Sequence, residues 1–310
     1  MEPKLVVEAK SLSKRFEDHY VVKSINLNVY QGECFGILGP NGAGKSTLMR
    51  MMYGSSLIHD GELYIAGLNA RKSIREIKSR IGVLPQEEGL DIEFTVRENL
   101  HLFGSYFGVE NDVAIHRTEE LLKLMRLEEY GDQFVNTMSG GMKRRLGLAR
   151  AMINQPEILF LDEPTNGLDP QARFWVWDFL KKVKREMGTV VLTTHYMEEA
   201  EQICDRIAIM DRGEILAIGE PKSLIREKIG AQVVEFQVDR FDLQYYLSRL
   251  ASQKLKCQVI RDQVNVHLES VEDTSKVLGL VQSQKMTIRQ PTLSDVFLKV
   301  AGHDLRDEPL

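Results

Sequence analysis

Between Gly39 and Thr47 the chain reads GPNGAGKST, a Gly-rich turn ending in Lys-Ser-Thr with the spacing G-x-x-x-x-G-K-[ST]. The chemistry open to such a turn is the cradling of phosphate oxygens. Backbone N–H groups converge on the anion, the helix that follows adds its positive N-terminus, Lys45 reaches the β and γ phosphates, and the Ser46 hydroxyl ligates Mg²⁺. The phosphate-holding stretch comprises Gly39, Pro40, Asn41, Gly42, Ala43, Gly44, Lys45, Ser46 and Thr47. A Gly/Asn/Pro turn with a helix cap would show part of this pattern. The apolar run Glu33–Leu38 before it and the helical run Leu48–Met52 after it supply the strand, loop and helix in the order a phosphate site requires.

A second reactive pair closes the apolar run Ile158-Leu159-Phe160-Leu161, which ends in Asp162-Glu163. Asp162 suits a metal, directly or through water, and Glu163 suits orienting and deprotonating a water that attacks phosphorus. His195 follows the apolar run Val190–Thr194 and is expected at a strand end beside the ligand crevice of a doubly wound sheet, in reach of the γ-phosphate. Gln86 follows Ile81–Pro85 in the same way.

These residues need elements to hold them. Leu5 to Val29 alternates in short β-rich pieces around Glu17-Asp18-His19, which predicts a small antiparallel sheet. Strands predicted at Leu63–Ile65, Ile81–Leu84, Ile158–Leu161, Val190–Thr193 and Ile207–Met210 alternate with helical patterns, which gives an α/β domain with a largely parallel sheet. From about residue 87 to 153 the pattern is a helical insert, with Leu121, Leu122, Leu124, Met125 and Leu127 forming an apolar face. This domain is expected to occupy residues 1–230. In residues 231–310 the pattern restarts as Val233–Val238, a helix from Leu243 to Ala251, Cys257–Ile260, Val264–Leu268, a helix from Thr274 to Val281, and Met286–Ile288. That βαββαβ order predicts a small ferredoxin-like α+β module. Its Phe236, Tyr245, Tyr246 and Phe297 read as core, and its sequence offers no ligand site.

A length of 310 residues, with 43% hydrophobic and 27% charged, is a globular composition, which excludes a disordered chain. The net charge of -5 gives no reason to expect nucleic acid as partner. No run approaches the roughly 18 apolar residues of a membrane span, and no signal-peptide core opens the chain, so a cytoplasmic location is expected. Cys34, Cys204 and Cys257 lie far apart and read as reduced packing residues rather than a disulfide or zinc framework.

Taken together, GPNGAGKST, Gln86 in GVLPQ, MSGGMKRR from Met138, ILFLDEPTNGLDP at 158–170 and His195 in TTHYMEEA occur in the order found in the ATP-binding cassette ATPases. The chain resembles that family over Leu5 to Ile229. The resemblance implies a P-loop NTPase fold, with an N-terminal antiparallel β-subdomain and the helical insert, that binds and hydrolyses ATP with Mg²⁺. It implies that Glu163, His195, Gln86 and Lys45 are catalytic, and that Ser46, Gln86 and Asp162 serve the metal. Phe16 is implied to stack on adenine, with Tyr20 as rival and Val22 beside it, and Asp169 to lie in the loop crossing between two ATPase domains. Ser139, Gly140 and Gly141 would close on the γ-phosphate held by an opposite subunit, which implies a second cassette, a homodimer being expected. The signature departs from the family pattern at Met138 and Met142, where Leu and Gln are usual, and keeps its Ser-Gly-Gly centre.

SGGMKRRLGLARA, TNGLDPQAR, THYMEEAEQICDRIAIMDRG and the tail PTLSDVFLKVAGHDLRD are similar to the ATPase subunits of bacterial drug-resistance and nodulation-factor exporters. This implies a subunit, peripheral on the cytoplasmic face of the membrane, that energises a separately encoded multi-span permease exporting a drug-, lipid- or glycan-like substrate. The permease contact is expected between Glu87 and Tyr130. The competing readings are a soluble ATP-driven switch on non-membrane machinery, disfavoured by a single cassette without a coiled-coil insertion, and the ATPase of an importer.

Overall fold

The computed structural model describes residues 3–87, 89–239, 241–260, 262–281 and 285–302; the HDLRD end of the exporter-like tail lies outside the described residues. The chain forms two compact units that divide between Leu216 and Ala217.

The first unit opens with β1 (Leu5–Phe16) and β2 (His19–Tyr30), an antiparallel pair whose inward residues Val7, Leu12, Val22 and Val29 are fully buried. β3 (Cys34–Leu38) follows and is buried on both faces, which is why its sequence is an unbroken run instead of an alternating one. The Gly39–Gly44 loop joins β3 to α1 (Lys45–Met52). β4 (Asp60–Ile65) and the short β5 (Leu68–Asn69) return to β1 and complete a four-stranded antiparallel sheet ordered β2-β1-β4-β5. Next come α2 (Ile74–Arg80) and β6 (Ile81–Leu84).

Three helices then form the insert: α3 (Val96–Tyr106), α4 (Asn111–Met125) and α5 (Gly140–Met152). α3 starts at a reciprocal cap in which Thr95 accepts from the Glu98 N–H and Glu98 accepts from the Thr95 N–H. β7 (Ile158–Asp162), α6 (Pro170–Met187), β8 (Thr189–Thr194), α7 (Met197–Ile203) and β9 (Arg206–Asp211) follow, and the division between the units falls within the next strand, β10 (Glu214–Gly219). The second sheet runs β10-β9-β3-β8-β7-β6, and the pairs β3–β8, β3–β9, β6–β7 and β7–β8 are parallel. Parallel strands bring Leu38, Leu84, Asp162 and Thr194 to the same rim of the sheet, and the loops that leave this rim carry the chemistry.

The second unit contains α8 (Pro221–Lys228), β11 (Gln232–Gln237), α9 (Leu243–Ser252), β12 (Lys256–Ile260), β13 (Gln263–Leu268), α10 (Thr274–Leu280), β14 (Met286–Arg289) and α11 (Leu293–Ala301). Its four strands are antiparallel throughout and ordered β12-β13-β11-β14, which with the intervening α9 and α10 is the ferredoxin-like arrangement. α8 belongs to this unit because it packs on α11, so compactness draws the division before α8. Strand alternation gives the sheet two unlike faces. Val234, Phe236, Val264, Val266 and Leu268 make an apolar core with Leu250 and Val277. On the other face Glu235, Asn265 and His267 stand in register with Gln258, Lys256 and Arg289.

Candidate functional site

The Gly39–Thr47 loop is shaped by close approaches that only glycine permits at two positions. A β-carbon on Gly39 would lie 2.0 Å from the Met210 carbonyl oxygen, and one on Gly44 would lie 2.4 Å from that of Val21. Gly42 has φ +77 with open space where a side chain would stand, so there the requirement is the left-handed backbone itself. The Lys45 ammonium arches back over the loop and donates to the Gly39 and Pro40 carbonyls, each at 2.9 Å. The first turn of α1 directs the N–H groups of Ser46 and Thr47 outward, as every helix start does.

On the neighbouring strand end, Asp162 and Glu163 are 1% and 6% exposed. The Ser46 hydroxyl donates to Asp162 Oδ1 at 3.0 Å, which ties the phosphate loop to β7. Thr193 does two jobs: its hydroxyl donates to the same Oδ1 and accepts the Glu163 N–H at 2.9 Å. Asp162 Oδ2 is buried with no hydrogen-bond partner. A buried carboxylate oxygen left bare beside a serine hydroxyl is a donor set that suits a hard, oxygen-seeking divalent cation.

Glu163 adopts φ 48, a left-handed conformation that costs a non-glycine residue about 1–3 kcal/mol and concentrates at working sites. The Arg144 guanidinium, buried beneath, holds this turn by donating to the carbonyl oxygens of Asp162, Glu163 and Pro164 and to that of Pro85. Glu163 Oε1 stands 3.3 Å from His195 Nδ1 and 3.7 Å from Lys45 Nζ, while Oε2 accepts from Asn166 at 3.0 Å. The His195 imidazole, with help from the Lys45 ammonium, holds the Glu163 carboxyl below the usual glutamate range against the opposing effect of burial. Glu163 is therefore ionised near neutrality and able to accept a proton from water.

Glu163, His195, Lys45, Ser46 and Asp162 thus form one cluster. Gln86 is exposed and follows β6, the neighbour of β7. Ser139, Gly140, Gly141 and Asp169 meet elsewhere, in a cleft of about 560 Å³ that contains none of the cluster's residues. There Ser139 caps α5 by accepting the Met142 N–H, and Asp169 caps α6 by accepting the Ala172 N–H at 2.9 Å. Phe16 and Tyr20 lie on the β1–β2 hairpin, 54% and 42% exposed, whereas Val22 is fully buried in the core and presents no face to a ligand. Lys14 Nζ sits over the Phe16 ring, 4.9 Å from its centre.

Sequence reasoning passed over Thr193 and Arg144. Threonine inside an apolar strand reads as β-propensity, and its hydroxyl partners are residues distant in the chain. Arg144 stands among the basic residues after Ser-Gly-Gly and differs from its neighbours only in being buried. Glu199 was equally silent: it is fully buried, accepts from Thr165 and Trp177, and burial raises its carboxyl above the usual range.

A largely parallel sheet that delivers a phosphate loop and an Asp-Glu strand end to one rim defines a nucleotide-hydrolysing protein of the P-loop class. The profile of the ABC transporter family matches residues 22–166. The Nod factor export ATP-binding protein I of Rhizobium meliloti (strain 1021) is 42% identical over 307 residues, covering 99% of this chain and 91% of that one. The protein of the same description from Rhizobium sp. (strain N33) is 40% identical over 302 residues, covering 97% and 99%. Among solved structures, the dimeric post-hydrolysis state of the ATP-binding cassette MJ0796 bound to ADP and Pi superposes with TM-score 0.64 at 29% identity, covering 69% of this chain and 98% of that one. The cbiO1 subunit from Clostridium perfringens, part of the transporter complex cbiONQ, gives 0.66 at 28% identity, covering 72% and 92%. The chain belongs to the ABC transporter ATPases: it binds ATP and hydrolyses it.

Proposed function

We propose that this ATPase energises a separately encoded membrane permease in the export of a drug-, lipid- or glycan-like substrate. The observation that carries the reading is likeness along nearly the whole chain, second unit included, to proteins described as Nod factor export ATP-binding proteins. Among the described residues no helix is long and apolar enough to cross a membrane, and the spanning pathway is assigned to the permease. A surface for it is at hand beside Gln86: a cleft of about 280 Å³ lined by Tyr53, Val83, Pro85, Phe103, Phe107 and Arg150, with Tyr106 70% exposed nearby. On this reading the chain works peripherally on the cytoplasmic face of the membrane.

At the site, Mg²⁺ would be held by Ser46 and Asp162, with Gln86 reaching it once the loop after β6 closes; when bound it supplies charge neutralisation of the phosphates. Glu163 takes the proton of the attacking water, His195 keeps Glu163 ionised and contacts the γ-phosphate, and Lys45 neutralises the phosphates from the loop side. Phe16 or Tyr20 supplies the ring for adenine. The cleft that holds the Ser139–Gly141 cap contains no residue of the phosphate loop, which supports a reading in which one chain offers half of each composite site. Two chains, head to tail, would bring each Ser139 cap onto the other's ATP, with Asp169 at the crossing, and ATP would hold the dimer shut until it is hydrolysed.

The test is capture of tagged Glu163→Gln protein from detergent-solubilised native membranes with Mg-ATP present. A multi-span membrane protein in stoichiometric amount is the expected result; recovery of soluble partners alone would overturn the permease reading in favour of a soluble switch.

A further inference from the structure

The second unit carries a cavity that the sequence did not announce and that the ATPase reaction does not use. Its volume is about 630 Å³, and it is lined by the end of α8, the Ile229–Ala231 link, the start of β12, the end of β13 and the last turns of α11. Four fixed cations line it, Arg226, Lys228, Lys256 and Lys299, against two carboxylates, Glu227 and Glu269. Lys256 is paired to Glu269 at 3.1 Å. Lys299 has the Lys228 carbonyl oxygen as its partner and no carboxylate among the described residues. Burial, then the charges of Lys256 and Lys228, hold the Lys299 ammonium below the usual lysine range. Mutual repulsion of this kind is a cost to the fold that a bound anion relieves.

A second, independent observation lies in the lining of the cavity. His267, on β13, is 7% exposed, and among the described residues no hydrogen bond or ion pair engages its imidazole. A ring so enclosed ordinarily satisfies its nitrogens with protein partners. Its cross-strand neighbours are Lys256 and Val233, neither of which accepts from it, and the nitrogens are left to whatever fills the cavity.

We propose that this cavity, formed by α8, β12, β13 and α11, binds a small phosphate ester, with Lys299, Lys256 and Arg226 on the phosphate, His267 donating from beneath, and Glu227 and Glu269 accepting from hydroxyl or amino groups of the same molecule. The size decides against a bare ion: a water occupies roughly 30 Å³ of liquid, whereas pockets for small organic ligands span roughly 300–1,000 Å³. The paired signs on the wall match a ligand that is anionic at one end and polar at the other. The ester can come from a soluble phosphorylated metabolite or from a lipid headgroup, since both present the same dianionic or monoanionic phosphate with neighbouring hydroxyls.

The inference is independent of transport and is tested on the full-length chain labelled with ¹³C at histidine, with ADP saturating the cassette and ionic strength held constant. The His267 resonance is assigned by its loss in His267→Gln. Glucose 6-phosphate is titrated first, then vesicles of phosphatidylglycerol against vesicles of phosphatidylcholine. The expected result is a saturable movement of the His267 signal with His195 unmoved, weakened at least tenfold by Lys299→Gln and retained by Lys299→Arg. Lys256→Gln, at an exposed position, gives the same reading should Lys299→Gln fail to fold. Movement with glucose 6-phosphate names a soluble ester, and movement with phosphatidylglycerol alone names a lipid headgroup. A His267 signal that stays in place with both, or that moves equally in all variants, overturns the proposal.

Discussion

In the first unit Lys45, Glu163 and His195 bring opposite charges together at a sheet rim; in the second, Arg289, Glu235 and Asp295 do so beneath α11. The residue types are alike, and both clusters are largely shielded from water. They differ in what is left over. Arg289 spends its guanidinium on Glu235, on both oxygens of Asp295 and on the Gln290 carbonyl, and Asp295 also accepts the Thr292 N–H at the start of α11. The cassette cluster keeps Asp162 Oδ2 bare and holds Glu163 in a strained backbone. A saturated ion network fixes a helix; one with atoms left unsatisfied is able to receive a ligand. The His267 cavity sits between these cases: Lys256 and Lys299 have partners, while the imidazole has none among the described residues.

The sharpest way to break this contrast is to neutralise one member of each cluster. Glu163→Gln is expected to leave ATP binding intact and slow hydrolysis by about 10²–10⁴-fold, the usual contribution of a positioned base, with little change in melting temperature. Undiminished turnover in a steady-state phosphate-release assay would remove Glu163 from that role. Arg289→Met is expected to do the reverse, costing about 3 kcal/mol by stranding buried Asp295, while ATP turnover persists. Hydrogen exchange along α11 reads the loss directly, and unaltered protection there would make the network dispensable.

Two smaller effects refine the comparison. The Asp295 carboxyl, buried yet hydrogen-bonded to Arg289, lies below its ordinary value of 3.8. A depressed carboxylate contributes stability that is present above the unfolded value and lost as pH falls through the folded one, so α11 should loosen only below about pH 4. The Glu163 carboxyl is likewise held below 4.5, chiefly by His195. His195→Ala should therefore shift the acid limb of single-turnover hydrolysis to higher pH, and an unmoved limb would mean that His195 does not set the base. Smallest in stability is Ser139→Ala, which removes a helix cap worth about 1 kcal/mol. In a mixed dimer it should impair the site built on the partner's Lys45, and damage confined to its own chain would count against the head-to-tail arrangement.

The legible part of the site was the part written in consecutive residues. GPNGAGKST and LDE are each a strand end with its loop, so their chemistry and placement follow from neighbours in the chain. The βαββαβ pattern also predicted the second unit's sheet, because alternation at period two survives wherever one face is apolar and the other is not. Thr193, Arg144 and Glu199 were illegible because each takes its role from partners 18 to 59 residues away. Val22 shows the opposite limit: the family resemblance implied a contact to adenine, and in the structure its side chain is fully buried.

What the sequence determined by itself was a phosphate-binding α/β domain with an appended α+β module, since periodicity and short motifs are local properties that fix strand, loop and helix in order, while the resemblance of those motifs to the cassette family added ATP and its hydrolysis. Which charges meet was decided only by tertiary structure. Parallel pairing placed Asp162 beside Thr193 and Ser46, and antiparallel pairing set Lys256 and His267 side by side beneath α11. Electrostatic interaction falls with distance in space and is indifferent to separation along the chain, so the value of a charge is settled when the strands have found their register.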